Sequence, residues 1–387
     1  MKVICDRAAL LEAIGLVSSV AASRTPKPQL TCVRLCATKD EGAGELTLSA
    51  TDAEISLTLR LGSVDVVEPG ETLVPAQKLS QIISAEDNDP TLTIESDGDL
   101  TTVKGADAEF KLHGYPPSDF PPIPDFQQVI ASGSRGAFAL PAGALSTVVA
   151  RTIFAAAREN SRYAINGVLF KKAGKKLELV ATDGRRLAHC SASIPASKAG
   201  DEPVACIVPA KALNVLQKLI DDENEPIHLA VTDNQIVFGF GEDPADARAV
   251  LSSNLVEGAF PPYEDVIPKD QDIRVGFDRD VLFSAVRRAA LLTNEESRGV
   301  RMSFTAEDKK LQLSSRSPEM GEAHVEVGLA SYEGGDIEIG FNPGFINDAL
   351  KVIDDPQVII ELKATNKPGL LRSGSDFVYV VMPVNLQ

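Results

Sequence analysis

Apolar positions recur along this chain with two periods. Leu10, Ile14 and Val17 fall on one face of a helix, as do Leu145, Val148, Val149 and Ile153, and again Leu282, Phe283, Val286 and Ala290, because residues three and four apart share a helical face. After each stretch come short runs alternating apolar with polar, such as KLELVA at Lys176–Ala181 and KLQLSS at Lys310–Ser315, bounded by Gly, Asp and Pro. Such alternation predicts strands of antiparallel sheet. A second helix is predicted after each VPA or FNP, followed by more alternating runs. The order helix, strands, helix, strands thus occurs three times, an α+β repeat.

The repeat is also written in matching words. ELTLSATD (Glu45–Asp52) precedes ETLVPAQKLSQII (Glu71–Ile83), and DFPPIP (Asp119–Pro124) closes the first unit; KLELVATD (Lys176–Asp183) precedes ACIVPAKALNVLQKL (Ala205–Leu219), and AFPPYEDVIP (Ala259–Pro268) closes the second. A fainter third copy runs through KLQLSSRSPE (Lys310–Glu319), IEIGFNPGFINDALKVI (Ile337–Ile353) and YVVMPV (Tyr379–Val384). Anchors about 130 to 140 residues apart have a domain-sized period. A chain of 387 residues exceeds what one hydrophobic core usually serves, so domains are expected at 1–125, 135–268 and 272–387.

The net charge of −17 argues against a nonspecific polyanion binder, since such affinity comes from Lys and Arg neutralising phosphates. Distribution matters more than the total. Arg151 and Arg158 fall opposite the Leu145, Val148 and Val149 stripe, Lys211 and Lys218 opposite Leu213, Leu216 and Ile220, and Arg288 opposite Leu282 and Val286, while Arg24 and Lys27 lie in the turn SRTPKP. All are expected to face water. Acidic residues gather elsewhere, in DEGAGE, DDENEP, GEDPADA and YEGGD. On one helix this is a solvated face; repeated on equivalent helices side by side, it predicts one basic wall with the acidic surface on the strands.

Catalytic and metal chemistry find little support. His189 and Cys190 are adjacent, but in the extended run RLAHCSAS neighbours point to opposite faces. The histidines have no ligand spacing with one another, there is no GxxxxGK[ST] phosphate loop, and five cysteines without metal spacing are expected as buried free thiols. No cofactor is expected. No apolar stretch is long enough to span a bilayer, and Asp6 and Glu12 interrupt any signal-like N-terminus, which reads as cytoplasmic.

The strings RYAINGVLF (Arg162–Phe170), VATDGRRLA (Val180–Ala188), FPPYEDVIP (Phe260–Pro268) and the terminal YVVMPV, in that order, resemble the bacterial sliding clamp family, the β subunit of DNA polymerase III, over essentially the whole chain. The resemblance implies a non-catalytic processivity factor: a head-to-tail homodimeric ring of clamp domains, helices lining the inside and antiparallel sheets outside, around duplex DNA. Helices packed at about 8 to 10 Å agree with a dimer. Six would enclose roughly 17 Å between axes, too little for DNA, whereas twelve leave a hole of about 24 Å for a duplex of ~20 Å. By resemblance, the edge near TTVKGADAEFKLHG meets SPEMGEAHVEV with Leu291 and Leu292, so that Lys104 and Lys111 face Glu319 and Glu322 of a second copy.

The resemblance further implies a hydrophobic groove in which the polymerase catalytic subunit, the clamp loader and repair proteins insert a short peptide. Carried over by position, it comprises Ile165, Thr182, Gly184, Arg185, Arg186, Leu187, Pro261, Val266, Pro368, Val380, Met382, Pro383 and Val384. ATD occurs twice. The first copy continues as AEISLTLRL, which predicts continued strand pairing, whereas the Gly184 copy predicts a turn. Two departures from the family pattern, Asp265 and Asn385 in place of frequent basic residues, imply an altered peptide preference. Arg24 and Lys211 match family DNA contacts; Gln77 and Glu159 stand at neighbouring positions without a positive charge. Two other classes stay open: a hydrolase or transferase with a site between repeats, for which no convergent polar set is visible, and a peptide-binding scaffold without DNA.

Overall fold

The computed structural model describes residues 1–40, 43–62, 64–131, 133–158, 163–194, 203–293 and 299–385. The first repeat runs β1 (Lys2–Asp6), α1 (Arg7–Ser18), β2 (Cys32–Asp40), β3 (Ala43–Thr51), β4 (Ile55–Leu61), β5 (Asp65–Glu68), β6 (Gly70–Pro75), α2 (Ala76–Ala85), β7 (Thr91–Asp97), β8 (Leu100–Lys104) and β9 (Glu109–His113). A short helix, α3 (Phe126–Ala131), leads to the second: β10 (Gly136–Pro141), α4 (Ala142–Ile153), β11 (Gly167–Ala173), β12 (Lys176–Thr182), β13 (Arg186–Ser193), β14 (Val204–Pro209), α5 (Ala210–Leu219), β15 (Pro226–Val231), β16 (Gln235–Phe240) and β17 (Ala249–Asn254). The third has β18 (Ile273–Asp278), α6 (Arg279–Ala289), β19 (Val300–Thr305), β20 (Lys310–Ser317), β21 (Gly321–Gly328), β22 (Ser331–Glu333), β23 (Ile337–Phe341), α7 (Pro343–Leu350), β24 (Gln357–Leu362), β25 (Gly369–Ser373) and β26 (Phe377–Val381).

Each repeat opens on a strand that the helical periodicity does not announce. β1, β10 and β18 have only five or six residues, with alternating burial at Val3 and Cys5, Phe138 and Leu140, or Val275 and Phe277. In β1 and β18 the strand ends on the residue that caps the helix. Asp6 accepts from the Ala9 amide at 2.9 Å and Asp278 from the Val281 amide at 3.0 Å, each satisfying an amide that the first turn leaves without a partner. Asn342 does the same for α7, with Pro343 in the first turn, where its missing N–H costs nothing.

The chain forms two compact units. One, mainly Met1–Leu145 and Lys211–Leu255, holds the five-stranded sheet β5-β1-β7-β8-β9 and the eight-stranded sheet β10-β15-β16-β17-β4-β3-β2-β6. Helices α1 and α2 pack on each other there, and Leu10, Ala13, Ile14 and Val17 form the buried face of α1. The other, mainly Ser146–Ile194 and the chain from Val256 onward, holds the nine-stranded sheet β14-β11-β12-β13-β26-β25-β24-β18-β22, the four-stranded sheet β21-β20-β19-β23, and the packed pair α6 and α7. The units do not follow the repeats because successive repeats share sheets. β17 pairs antiparallel with β4, Leu251 opposite Leu57, and β13 with β26, Leu187 opposite Val380.

The first ATD copy corrects its sequence reading. β3 does not run on after Asp52; the chain turns tightly and returns as β4, Thr51 opposite Ser56, just as β12 returns as β13 with Thr182 opposite Leu187. Both turns use one set of bonds. Asp52 Oδ1 accepts from the amides of Glu54 and Ile55 at 2.9 and 2.8 Å, and Asp183 Oδ1 from those of Arg185 and Arg186, both at 3.0 Å. The preceding threonine hydroxyl donates across each turn, to Ile55 O at 2.8 Å or Arg186 O at 2.6 Å. The third turn residue has positive φ in both, Ala53 at 78° and Gly184 at 84°. Alternation after Asp52 concealed a turn written in Thr and Asp side chains. Among the described residues, no helix is long and apolar enough to cross a membrane, and no cluster of three or more His, Cys, Asp or Glu could hold a metal ion.

Candidate partner-binding groove

The second Thr-Asp turn forms the rim of an apolar cavity of about 200 Å³. Ile165, Thr182, Gly184, Arg185, Arg186, Leu187, Pro261, Val266, Val380 and Met382 line it, together with Tyr163, Pro262 and Tyr263. Under the rim, Leu187, Val180, Val380, Leu370 and Tyr263 form a buried cluster, with Phe260 and Ile267 packed against it. The residues converge because β13 and β26 are neighbours and the Met382 amide donates to Arg185 O at 2.9 Å, continuing the strand pairing onto the turn. Tyr163 and Tyr263 were missed in the sequence, although both lie within or beside the quoted strings; an aromatic residue next to proline in FPPY was the available signal.

The remaining predicted groove residues separate. Pro383 and Val384 line a second cavity of about 420 Å³, with Arg301, Glu338, Gly340, Thr365, Asn366 and Asn385; Met382 borders both. The Val384 amide donates to Gly340 O at 2.8 Å, laying the end of the chain along β23. Pro368 lines neither cavity. The Gln271 side-chain amide donates to its carbonyl at 2.9 Å and holds that loop.

Adjacent arginines have opposite environments. Arg186 has only 11% of its side chain exposed. Its Nε donates to Asp183 Oδ2 at 2.9 Å, Nη1 to Asp348 Oδ2 at 2.9 Å and Nη2 to Phe154 O at 2.8 Å, and the guanidinium lies over the Phe345 ring, 4.4 Å from its centroid. Burial works against the charge, but the bonds to Asp348 and Asp183 prevail and raise its pKa. Arg185 is exposed and, among the described residues, has no carboxylate within ion-pair distance.

His189 and Cys190 do diverge. His189 stacks on Tyr263 with ring centroids 6.2 Å apart, and burial, outweighing Glu178 at 3.5 Å, lowers its pKa. Cys190 is fully buried, and burial pushes its thiol up to about 11, leaving little thiolate for nucleophilic chemistry.

Of the predicted basic face, Arg24, Lys27, Arg158, Lys218 and Arg288 are exposed. Arg151 is a correction. It is 9% exposed, Nη1 is 3.1 Å from Asp376 and Nη2 3.7 Å from Asp354, and the guanidinium lies over Phe377. Helical spacing gives a direction but cannot reveal that the β25–β26 turn brings Asp376 to that side. Arg158 lies beyond the end of α4 at Ile153, so the helical projection does not apply to it. Lys211 is exposed but bonded to Asp52, and Glu159 lies outside the described residues.

Of the residues carried over to a second copy, Lys111 lies on β9 and Glu322 on β21, whereas Lys104 is on the inner strand β8, Glu319 in the turn before β21, and Leu291 and Leu292 in the short helical turn after α6. β9 and β21 are each outermost in their sheets. Lys104 bonds Glu95 at 2.7 Å, Lys111 lies 3.2 Å from Glu109 and Glu322 3.1 Å from Arg316, so each charge has a partner within its own sheet. Glu319 is exposed, Leu291 is 72% exposed and Leu292 is half-buried.

Family models match three consecutive stretches: the DNA polymerase III beta subunit N-terminal domain over residues 1–124, its central domain over 139–262 and its C-terminal domain over 264–385. The beta sliding clamp of Pseudomonas putida is 35% identical over 383 residues, covering 98% of this chain and 99% of that protein. That of Escherichia coli K12 is 31% identical over 388 residues, covering all of both. Among solved structures, the sliding clamp of Pseudomonas aeruginosa bound to griselimycin has a TM-score of 0.88 at 34% identity, and that of Bacillus subtilis 0.87 at 26%, each with full coverage of both chains.

Proposed function

The chain belongs to the DNA polymerase III beta subunit family, the bacterial sliding clamps, which are non-catalytic processivity factors with a three-domain clamp fold, and from that premise we propose that two copies close head to tail around duplex DNA and tether partners by a peptide held at Met382. The observation that carries the tethering is the apolar cavity itself, built where Ile165, Leu187, Pro261, Val266, Val380 and Met382 converge from separate segments of the chain. An apolar pocket with a few fixed polar groups on its rim suits bulky peptide side chains. Met382 adds a flexible, polarisable wall that repacks around different ligands, as a site serving polymerase, loader and repair proteins requires.

For the ring, the exposed Arg24, Lys27, Lys218 and Arg288 supply weak, sequence-blind phosphate contacts, which are enough when topology holds the protein on DNA. The free edges β9 and β21, with Leu291, are complementary ends for a heterologous interface that closes. A loading assay tests this half: retention on nicked circular duplex with release on linearisation is expected, and equal retention on both overturns the ring. Titrating a fluorescent clamp-binding peptide into wild type and Met382→Ala tests the other half. Weaker binding by the variant is expected, and equal affinity removes the groove.

A further inference from the structure

We propose that the two neighbouring arginines of the groove hairpin divide its work: Arg185 is the specificity-determining cation that recognises a carboxylate on the partner peptide, and Arg186 is a positioning residue whose guanidinium does not meet the ligand. The division rests on the reading of the cavity as a peptide groove. Sequence places both residues on the rim, and only their surroundings separate them.

Arg186 uses all three guanidinium nitrogens inside the protein. One bond closes on Asp183 in its own turn, one reaches Asp348 on α7 and one the Phe154 carbonyl just beyond α4. The flat guanidinium is further held between the rings of Phe345 and Phe154. A cation fixed by two carboxylates has little charge left for a ligand, and only its remaining surface borders the cavity. Its effect is to fix the hairpin from which Leu187 enters the apolar floor.

Arg185 has the reverse arrangement. Its backbone is rigid, the amide bound to Asp183 Oδ1 at 3.0 Å and the carbonyl accepting from Met382 at 2.9 Å. Its side chain is exposed at the cavity mouth, and no acid among the described residues neutralises it. Gly184 at φ 84° aims it there. Asp265, exposed and next to Val266 in the chain, does not line the cavity, and Asn385 at the second cavity carries no charge, so Arg185 is the exposed unpaired charge on the lining. The groove therefore favours a peptide whose acid lies on the Arg185 side of its apolar residues over one whose acid lies on the other side.

Three labelled hexapeptides with one Leu-Phe pair test this by fluorescence anisotropy: glutamate before the pair, glutamate after it, and glutamine at both places. With wild type, one acidic peptide is expected to bind about two- to fivefold tighter than the neutral one, the range of an exposed charge pair, and the other not to. Arg185→Gln should erase that ratio, bringing all three peptides to one affinity. Arg186→Lys should weaken all three by a common factor, and Asp348→Asn, at a residue that does not line the cavity, should do the same. A ratio that survives Arg185→Gln, or that Arg186→Lys alters, overturns the division while leaving the groove standing. If wild type binds none of the three, the groove reading falls and the division with it.

Discussion

At the residue scale, two turns of one design differ at a single position. Thr51 and Asp52 bond as Thr182 and Asp183 do, yet Ala53 adopts φ 78° where the second copy has Gly184 at 84°. An L-residue in that region is strained by about 1–2 kcal/mol, offset in part by the greater freedom glycine has in the unfolded chain, about 0.4–1 kcal/mol. Ala53→Gly should therefore stabilise the protein by about 0.5–1 kcal/mol. Gly184→Ala should destabilise it by a similar amount through φ alone, since nothing lies within 4 Å of an added Cβ. Urea midpoints of the two variants should move in opposite directions. Both moving downward would mean that the turns are not equivalent.

At the element scale, the same hairpins brace successive repeats differently. The Arg186 bridge carries the second hairpin to α7, and a bond from Lys211 on α5 carries the first. Asp52 is half-buried, and burial alone would raise its pKa, but Lys211 and the Ile55 and Glu54 amides lower it. A depressed folded pKa means that the unfolded chain binds the proton more readily. The bridge thus contributes stability that is complete above the ordinary carboxylate pKa and disappears as pH falls through the depressed one. Asp52→Asn should flatten the stability profile across that acidic window; a profile as steep as wild type would show the bridge to be inert. The floors also differ. Leu187 faces Val380 under the groove, whereas the corresponding Ser56 faces Ser252 and bonds its hydroxyl at 2.5 Å, so an apolar floor exists at one junction and not at the other.

At the scale of the whole molecule, the exposed Leu291 and the outermost β9 and β21 are hard to explain in a monomer. Unpaired edges invite pairing, and burying one leucine contributes about 1.5–3 kcal/mol. A head-to-tail dimer has that contact twice, so Leu291→Asp should raise its dissociation constant by about 100-fold or more. Sedimentation at micromolar protein should give a dimer for wild type and monomer for the variant. A wild-type monomer would overturn the ring.

The repeats and the α+β order were legible in the sequence because each depends on local periodicity, whereas the residues of the cavity were legible only through words such as ATDGRRLA that resemble the family's. Leu10, Ile14 and Val17 lie where helical spacing put them, and Leu187 and Val380 meet because apolar strands bury one face. What the order of residues could not contain was the identity of neighbours hundreds of positions away. Arg151 read as a water-facing cation and Arg186 as a groove residue like Arg185 until Asp376 and Asp348 were brought to them. Pro368 was drawn aside by Gln271, and Pro383 and Val384 were carried to a second cavity along β23. Period and turn chemistry act over a few residues; whether a charge is free or bound depends on which distant segment the folded sheets place beside it, and that only tertiary packing decides.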